Sequence, residues 1–536
     1  MDTRIATGIG ALTAIGVLIG GAFAGLALEG VRDTTGALAA FDSYLGRVAL
    51  FTVWQALLST VLSVVPAVFV ARALTRHPSF PGRQFILRLL ALPLALPAIV
   101  AAMGVLALYG RAGYFSAPLA TISGGSWPGI YGLSGILIAH VFFNLPLATR
   151  LFVQSLDTIP DDQWRLASQL GMLAGSVFRL LEWPTMRASL PATAGLVFML
   201  CITSFTIVLT LGGGPGSTTI EVAIYQALRF DFDPARAVAL TLAQIALTVA
   251  AVFVLSRLGG TLAYDSGLSV SPRRHVVGGG REALANGALI AVAVLFVGGP
   301  VAAIAAAGVE ADLVRLAGER SVQRAVATSI GLAFAAALFA IGLSLALVAA
   351  RRALELGRRP SARRRLLEYA TGAGAGFVLV VPPIVIGAGW FILVRHVSDV
   401  FAIAPVMVVT VNAVMAMPFV VRAIRPAYDA ASERHERLAA QLGIVGWNRF
   451  RLVDWPSLRR PLATGLAFAM ALSIGDLGVI ALFGSDAVQT LPYLLLQRMG
   501  SYRTADAAGL ALFLAVLCLL LMTVAEQTGR SRHERC

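Results

Sequence analysis

Long apolar runs recur along the whole chain and constrain its fold more than any other feature. A transmembrane helix needs about 20 mostly apolar residues to cross the hydrocarbon core of a bilayer. Runs of about this length lie at residues 9–28, 48–70, 86–109, 133–153, 190–211, 237–255, 287–307, 325–349, 370–394, 401–421, 463–483 and 507–524. A membrane β-barrel would instead show short segments of alternating polarity. The sequence therefore predicts an all-α integral membrane protein of about 12 transmembrane helices.

The composition agrees with lipid as the solvent. Of the 536 residues, 58% are hydrophobic and 13% are charged, whereas about a quarter of the residues of a soluble domain are charged. All 42 basic residues are arginine. Because a phosphate-binding loop of the GxxxxGK[ST] type requires a lysine, the chain cannot form an ATPase site of that class. The three cysteines and six histidines have no spacing that is typical of a metal site.

The arginines are concentrated in alternate loops, which predicts the orientation of the chain. Arginine-rich loops lie at residues 72–88, 165–187, 257–281, 351–365 and 434–460, whereas the intervening loops carry acids such as Glu29, Asp231 and Glu310. The positive-inside rule places the arginine-rich loops in the cytoplasm, so both termini are predicted there. Basic residues placed between spans are topology charges and do not indicate nucleic-acid binding.

The sequence contains an internal repeat of about half its length. The segment Arg-Leu-Ala-Ser-Gln-Leu-Gly at 165–171 recurs as Arg-Leu-Ala-Ala-Gln-Leu-Gly at 437–443, an offset of 272 residues (the difference between 443 and 171). The same offset pairs Phe-Arg-Leu at 178–180 with 450–452, and an acid followed by Trp-Pro at 182–184 with 454–456. A repeat of half the chain predicts two parallel six-helix halves. We expect the first half at 1–258, a cytoplasmic linker at 259–286 and the second half at 287–536.

The best-matched part of the repeat lies in cytoplasmic loops, at residues 155–188 and 427–460. Within residues 161–187 of the first loop, apolar residues at helical spacing and a central glycine predict two short helices with a turn between them, the second ending at Trp183-Pro184. An amphipathic helix on the lipid headgroups would account for the spacing. A surface helix needs no repeated sequence, however, and so we interpret both loops as docking elements for a cytoplasmic partner.

These loops resemble the coupling-loop motif of bacterial ABC importer permeases, which has Glu-Ala-Ala, three residues and a glycine, followed by a proline. The matching positions are Ala167, Gly171 and Pro184 in the first loop and Ala439, Gly443 and Pro456 in the second. The resemblance also assigns coupling roles to Arg165, Leu170, Phe178, Arg437, Leu442 and Phe450. Arg165 and Arg437 stand where the family has glutamate, and a tryptophan precedes each proline.

More narrowly, the chain resembles the fused permease subunits of bacterial thiamine importers along nearly its whole length. The segments that carry this resemblance include Leu-Gly-Gly-Gly-Pro at 211–215, Leu-Ser-Ile-Gly-Asp-Leu-Gly at 472–478 and Gly-Ser-Tyr-Arg at 500–503. The resemblance implies transport of thiamine and its phosphate esters from periplasm to cytoplasm by alternating access. It also implies a multi-pass protein of the bacterial inner membrane. The remaining alternative within this class is a permease for iron(III) or another small solute.

The resemblance implies two kinds of partner besides the bilayer. Two copies of a cytoplasmic ABC ATPase would dock on the two coupling loops, and a periplasmic thiamine-binding protein would deliver the substrate. ATP and Mg²⁺ would then be used by the partner ATPase. The chain itself would be a transport subunit that binds no cofactor or metal and has no catalytic residue.

Four polar residues within apolar runs are candidates for the substrate pathway. Asp476 is the sharpest, because an acid inside a span costs several kcal/mol and is usually functional or paired. A carboxylate also suits the fixed cationic ring of thiamine, although Asp476 could equally be a packing or gating acid. Ser204 is its partner in the repeat. Asn144 and Asn412 could line the pathway, but polar groups within spans more often bond between helices.

Two other classes of protein fit less well. A secondary transporter of the 12-helix type would carry its basic motif between spans two and three, whereas the duplicated motif here lies between spans four and five and between spans ten and eleven. A membrane enzyme would need a catalytic cluster, and the sequence contains no HExxH motif and no nucleophile elbow.

Overall fold

The structure is a computed structural model that describes residues 3–77, 80–122, 124–125, 127–257, 279–355, 361–377, 381–444, 446–486 and 488–530. Throughout these residues the regular elements are helices, with no β-strand. The predicted all-α fold is therefore confirmed. Most of the predicted linker, residues 259–278, lies outside the described residues.

The helices divide between the two halves of the sequence. In the first half they are α1 (Thr3–Arg32), α2 (Thr34–Ala39), α3 (Ser43–Arg76), α4 (Arg83–Leu89), α5 (Leu92–Ala95), α6 (Ala98–Tyr109), α7 (Ser116–Ile122), α8 (Leu133–Asp157), α9 (Asp161–Gln169), α10 (Ala174–Val177), α11 (Trp183–Ile202), α12 (Phe205–Leu211), α13 (Ile220–Arg229) and α14 (Pro234–Arg257). In the second half they are α15 (Gly280–Glu310), α16 (Leu313–Gly318), α17 (Arg320–Glu355), α18 (Ala362–Phe377), α19 (Pro383–Val394), α20 (Ala404–Gln441), α21 (Gly446–Arg449), α22 (Trp455–Gly475), α23 (Gly478–Phe483), α24 (Leu491–Gly500) and α25 (Thr504–Arg530). Two π-helical turns, Phe178–Glu182 and Phe450–Asp454, and a 3₁₀ turn, Pro215–Ser217, complete the regular structure of the described residues.

Nine helical segments of the described chain are long and apolar enough to cross a membrane, or ten if one bent pair counts as a span. These nine correspond to nine of the twelve predicted runs. The bent pair, Arg83–Ala95 and Ala98–Tyr109, turns by 113°. The break follows from Pro97, because proline removes a backbone donor and the residue before it avoids helical geometry.

Four of the predicted continuous spans are wrong in detail: the bent run at 86–109 and three others. The run at 190–211 is interrupted between Ile202 and Phe205, and the run at 463–483 between Gly475 and Gly478. The run at 370–394 is divided between α18 and α19, with residues 378–380 outside the described part and Pro382 directly before α19. Hydropathy does not detect such breaks, because one or two non-helical residues leave the apolar composition of a run unchanged.

The chain forms two compact units whose composition differs from the two sequence halves. One unit contains Met1–Phe41, Ala223–Leu242 and Ala311–Cys536, and the other contains Asp42–Val222 and Ala243–Glu310. Consequently α1 packs against α17 and α19, which belong to the second sequence half, and α15 packs against α3 and α6, which belong to the first. We call these assemblies unit 1 and unit 2. The predicted boundaries at residues 258 and 287 stay a prediction.

Each unit is built around the same three-helix packing. In unit 2, α3, α8 and α11 pack against one another, and Phe142, Phe152 and Met186 are fully buried among them. In unit 1, α17, α20 and α22 pack in the corresponding way, and α25 lies against α22. The repeat in the sequence is therefore also a repeat in the packing.

Glycines allow α1 to approach α19 closely in unit 1. A Cβ atom on Gly25 would lie 2.2 Å from the Gly389 carbonyl oxygen, and one on Gly389 would lie 2.2 Å from the Ala22 carbonyl oxygen. The Trp390 indole N–H donates to the Leu18 carbonyl at 2.7 Å. Small residues at such a crossing are typical of helix packing in membranes, where close contact replaces the hydrophobic driving force.

Candidate functional site

The first coupling segment, residues 155–188, has the predicted helix and glycine turn. The prediction that its second helix is short and ends at Trp183-Pro184 is wrong, because the helix continues from Ala174 to Ile202. α9 is followed by Gly171, whose φ of +60° is left-handed. The Gly171 N–H donates to the Ser168 carbonyl at 3.1 Å, and the Met172 N–H donates to the Ala167 carbonyl at 3.0 Å. These two bonds form a Schellman helix cap, whose left-handed position favours glycine. The motif thus places Ala167, which is buried, on the last turn and Gly171 at the cap.

The second coupling segment, residues 427–460, contains the same cap. Gly443 has a φ of +65°, and the Ile444 N–H donates to the Ala439 carbonyl at 2.9 Å. Ala439 is buried, as Ala167 is in the first segment. The side chain of Arg437 lies outside the described part of the chain. The repeated alanine and glycine are therefore explained by one local structure that occurs twice.

A π-helical turn joins each coupling segment to the span that follows. The Trp183 N–H donates to the Phe178 carbonyl and the Trp455 N–H to the Phe450 carbonyl, each five residues back. Pro184 and Pro456 follow directly, near the N-terminus of α11 and of α22. Proline lacks an N–H and crowds the carbonyl four residues earlier, which a wider turn relieves. The paired Trp-Pro thus accounts for the wide turn at both positions.

The first coupling segment is anchored in unit 2 by buried ion pairs. Glu182 is fully buried and accepts two bonds from Arg76, at 2.8 and 2.9 Å, and one from Arg72 at 3.2 Å. Both arginines lie on α3 and also contact Glu282 on α15. The Arg72 guanidinium lies over the Phe178 ring, 5.1 Å from its centroid. Phe178 therefore packs on the same anchor that holds Glu182.

The second coupling segment is anchored differently in unit 1. Asp454, the repeat partner of Glu182, lies 3.7 Å from the Arg449 guanidinium, and Arg449 also donates to Glu436 at 2.5 Å. Arg4, at the start of α1, donates to Glu436 at 3.3 Å. Burial raises the pKa of the Asp454 carboxyl above its ordinary value, although Arg449 and Arg4 oppose the shift. The Phe450 ring lies between Trp447 and Trp455, with centroids 5.3 and 6.1 Å away.

Each coupling segment also exposes leucines at equivalent positions. We call these sets the first and second coupling patches: Leu166, Leu170 and Leu180, and Leu438, Leu442 and Leu452. Their exposed fractions lie between 54% and 68%. Arg165 is 64% exposed beside the first patch and forms a long ion pair of 3.9 Å with Asp162. Exposed apolar groups outside the predicted spans, in the same pattern twice, are typical of a protein interaction site.

The fifth span of each half is broken at the same position of the repeat. Ser204 directly precedes α12, and Asp476 lies in the break between α22 and α23. The half-buried Asp476 carboxylate accepts from the Gly478 and Val479 N–H groups at 3.3 and 3.4 Å. Broken helices form substrate and ion sites in many transporters, because freed backbone groups and side chains there can meet a solute.

The two asparagines of the predicted pathway lie beside these breaks. In unit 2, the Asn144 amide donates to the Cys201 sulfur at 3.3 Å. In unit 1, the Asn412 amide donates to the Ser473 hydroxyl at 3.0 Å. Each asparagine thus bonds to the helix that ends at the break. All four predicted pathway residues lie at the breaks, two in each unit.

Sequence reasoning missed the residues that anchor the first coupling segment. Arg72 and Arg76 were interpreted only as topology charges, and Glu282 only as part of the linker. No local pattern could have paired Arg76 with Glu282, which is 206 residues away. The recurrence of an acid at positions 182 and 454 was the one available signal, since a repeated acid beside a span needs a cation.

Comparison with known proteins places these features in one family. Residues 59–264 and 361–530 both match the family described as the binding-protein-dependent transport system inner membrane component. The thiamine transport system permease protein ThiP of Brucella abortus is 56% identical over 524 residues, which cover 98% of this chain and 95% of that protein. The proteins of the same name from Salmonella typhimurium and Escherichia coli are 42% and 41% identical, covering 92% and 91% of this chain and 91% and 89% of theirs. The chain therefore belongs to the family of binding-protein-dependent transport system inner membrane components, which it matches twice.

Proposed function

We propose that the chain is the membrane-spanning permease of an ATP-driven importer that moves thiamine, and its phosphate esters, from periplasm to cytoplasm. The observation that carries the proposal is the duplicated coupling segment with its exposed patch. A transporter that works without an ATPase would have no use for two identical docking elements. The chain contains no lysine, so the ATP site belongs to a separate subunit.

The coupling patches support two ATPase copies, one for each segment. Each patch lies beside a Schellman cap and leads through a π turn into a long span. A push on the patch would therefore be transmitted to α11 or α22. Buried ion pairs such as that of Arg76 with Glu182 would keep the first segment moving together with α3, which carries Arg76.

The substrate is proposed from the relatives and from Asp476. The relatives that match along nearly the whole chain are thiamine transport permeases by name. The thiazolium ring of thiamine carries a fixed positive charge, which a carboxylate inside a span would stabilise. We propose that Asp476 contacts this ring and that Ser204, Asn144 and Asn412 line the same route.

The proposed orientation places the coupling segments and both termini in the cytoplasm. Helices α22 and α25 support a consistent arrangement, because the contacts of Thr464 with Ala525 and of Cys518 with Ala471 make them antiparallel. The start of α25 then lies at the end of unit 1 that is remote from the second coupling segment. A periplasmic thiamine-binding protein would deliver its substrate at that end.

Reconstitution tests the proposal. The purified permease, its ATPase and the binding protein would be combined in vesicles, and uptake of labelled thiamine would be measured. We expect uptake only with ATP and all three components, and none with an ATPase whose phosphate-binding lysine is replaced. Uptake driven by an ion gradient without ATP would contradict the proposal, as would ATP-driven uptake of iron(III) in place of thiamine.

A further inference from the structure

The break in the fifth span leaves backbone groups that must find other partners inside the membrane. α11 ends at Ile202, and the Cys201 carbonyl accepts a bond from the Gln55 amide of α3 at 2.9 Å. In lipid an unsatisfied carbonyl costs several kcal/mol, so a break persists only where neighbouring helices supply such bonds. The break of unit 2 is therefore held by polar side chains from α3 and α8.

His140 joins the break to both neighbouring helices. Its Nδ1 lies 2.9 Å from the Ser59 hydroxyl of α3, and its Nε2 lies 2.8 Å from the Ser204 hydroxyl at the break. The side chain is 1% exposed. A neutral imidazole has one donor and one acceptor, and serine hydroxyls can serve either role. Both ring nitrogens are thus satisfied, and His140 has no capacity left for a solute.

The second half uses the same position for the same purpose. Asn412 lies 272 residues after His140, the offset that relates the two halves. Its amide donates to the Ser473 hydroxyl at 3.0 Å, three residues before Asp476. Two different side chains thus tie the fourth span of each half to the break in its fifth. The side chain is a histidine in one half and an asparagine in the other, whereas the bond to the broken fifth span is present in both.

We propose that His140 and Asn412 are positioning residues, which hold the breaks so that Ser204 and Asp476 stand in the geometry that the solute requires. The inference rests on the proposed function for the nature of the solute. His140 acts through Ser204 and does not contact the solute. Loss of its bonds should therefore weaken apparent substrate affinity while leaving the chain folded.

The first test measures uptake kinetics in His140→Ala, Ser204→Ala and the double variant. We expect KM to rise about fivefold in His140→Ala, the effect of one lost buried hydrogen bond, with little change in the maximal rate. The KM of the double variant should rise no further than that of Ser204→Ala alone, because His140 acts through Ser204. Thr149→Ala is the matched control, since Thr149 is also buried on α8 but has no protein partner for its hydroxyl.

Two results would overturn the inference. One is an unchanged KM with less protein in the membrane and a lower thermal stability, which would make His140 a structural residue only. The other is a KM effect in the double variant that equals the product of the single effects. If His140→Ala does not accumulate in the membrane, the KM of Ser204→Ala and of His140→Asn tests the inference instead. We expect His140→Asn to remain near wild type, because asparagine occupies this position in the second half.

A second test needs no substrate and so separates this inference from the proposed function. In a Cys518→Ser, Cys536→Ser background, Cys201 is the only thiol of the chain, and it is fully buried at the break. We expect His140→Ala to speed its labelling by a membrane-permeant maleimide about fivefold, and Thr149→Ala to leave the rate unchanged. Equal rates in the two variants would contradict the inference, even if thiamine proved not to be the substrate.

Discussion

Gly171 and Gly443 show how a motif residue can be required by the backbone alone. Both have positive φ angles, and a Cβ atom at either position would meet no other atom within 4 Å. Steric crowding is therefore not the reason that these two positions require glycine. Left-handed backbone costs other residues about 1 kcal/mol or more relative to glycine, and the cap at the end of α9 depends on it.

Replacement of Gly171 by alanine should loosen the first coupling segment. We expect Gly171→Ala to reduce ATP-driven uptake several-fold while the protein still reaches the membrane, because the strained cap no longer fixes the first coupling patch. Gly175→Ala is the control, since Gly175 lies in the same segment with free space around it and no left-handed φ. Similar uptake by the two variants would refute this explanation of the motif.

The prediction about the substrate concerns the charge of Asp476. We expect Asp476→Asn to raise the KM for thiamine, because the amide keeps the size of the side chain but removes the charge that would face the thiazolium ring. The control is Asp486→Asn, which removes a charge from an exposed acid of a nearby loop. The measurement is uptake against thiamine concentration. An unchanged KM in Asp476→Asn would leave the acid with a packing or gating role.

At the scale of elements, local signals predicted more than long-range ones. The central glycine was sufficient to predict the turn of the first coupling segment, because a helix cap is determined by a few neighbouring residues. The helix end predicted at Trp183-Pro184 was wrong, since a π turn carries the helix past the proline. The breaks at Ser204 and at Asp476 were not predicted. Their stability depends on Gln55, His140 and Asn412 from other helices, and such contacts leave no pattern in a single sequence.

The buried anchor of the first coupling segment gives a prediction about stability. Glu182→Gln would remove one of the two acids that Arg76 contacts. Because Glu282 remains as a partner, we expect a cost below the roughly 3 kcal/mol of a fully broken buried pair. We expect a lower thermal stability of the purified permease and weaker ATP-driven uptake. Asp162→Asn is the control in the same segment, because the Asp162 side chain is 93% exposed and exposed pairs contribute little. Equal stability of the two variants would show that the anchor is not important for the fold.

At the scale of the whole molecule, the repeat and the packing units divide the chain differently. Hydropathy and the 272-residue offset were sufficient to predict two halves, since a repeat is visible within one sequence. They could not predict that α1 packs with α17 and α19, because apolar helix faces in lipid do not identify their partners. The first helix of each half thus completes the packing of the other half's helices.

The packing of α1 against helices of the second half predicts how the two halves behave when the linker between them is cut. We expect residues 279–536 expressed alone to be degraded, since the chain then lacks α1 and the bond from Trp390 to Leu18. Expression together with residues 1–258 should restore the protein in the membrane. Abundance in isolated membranes is the measurement. Stable accumulation of residues 279–536 alone would contradict the packing of α1 described for unit 1.

Thiamine uptake by whole cells is the simplest test of whether the chain imports thiamine. Uptake of labelled thiamine at nanomolar concentration would be compared in cells with and without the chain, with iron uptake measured in parallel. If the chain imports thiamine, its deletion abolishes thiamine uptake, the intact chain restores it, and iron uptake is unchanged. Loss of iron uptake with normal thiamine uptake would contradict the proposed substrate, although the family and the coupling segments would stand.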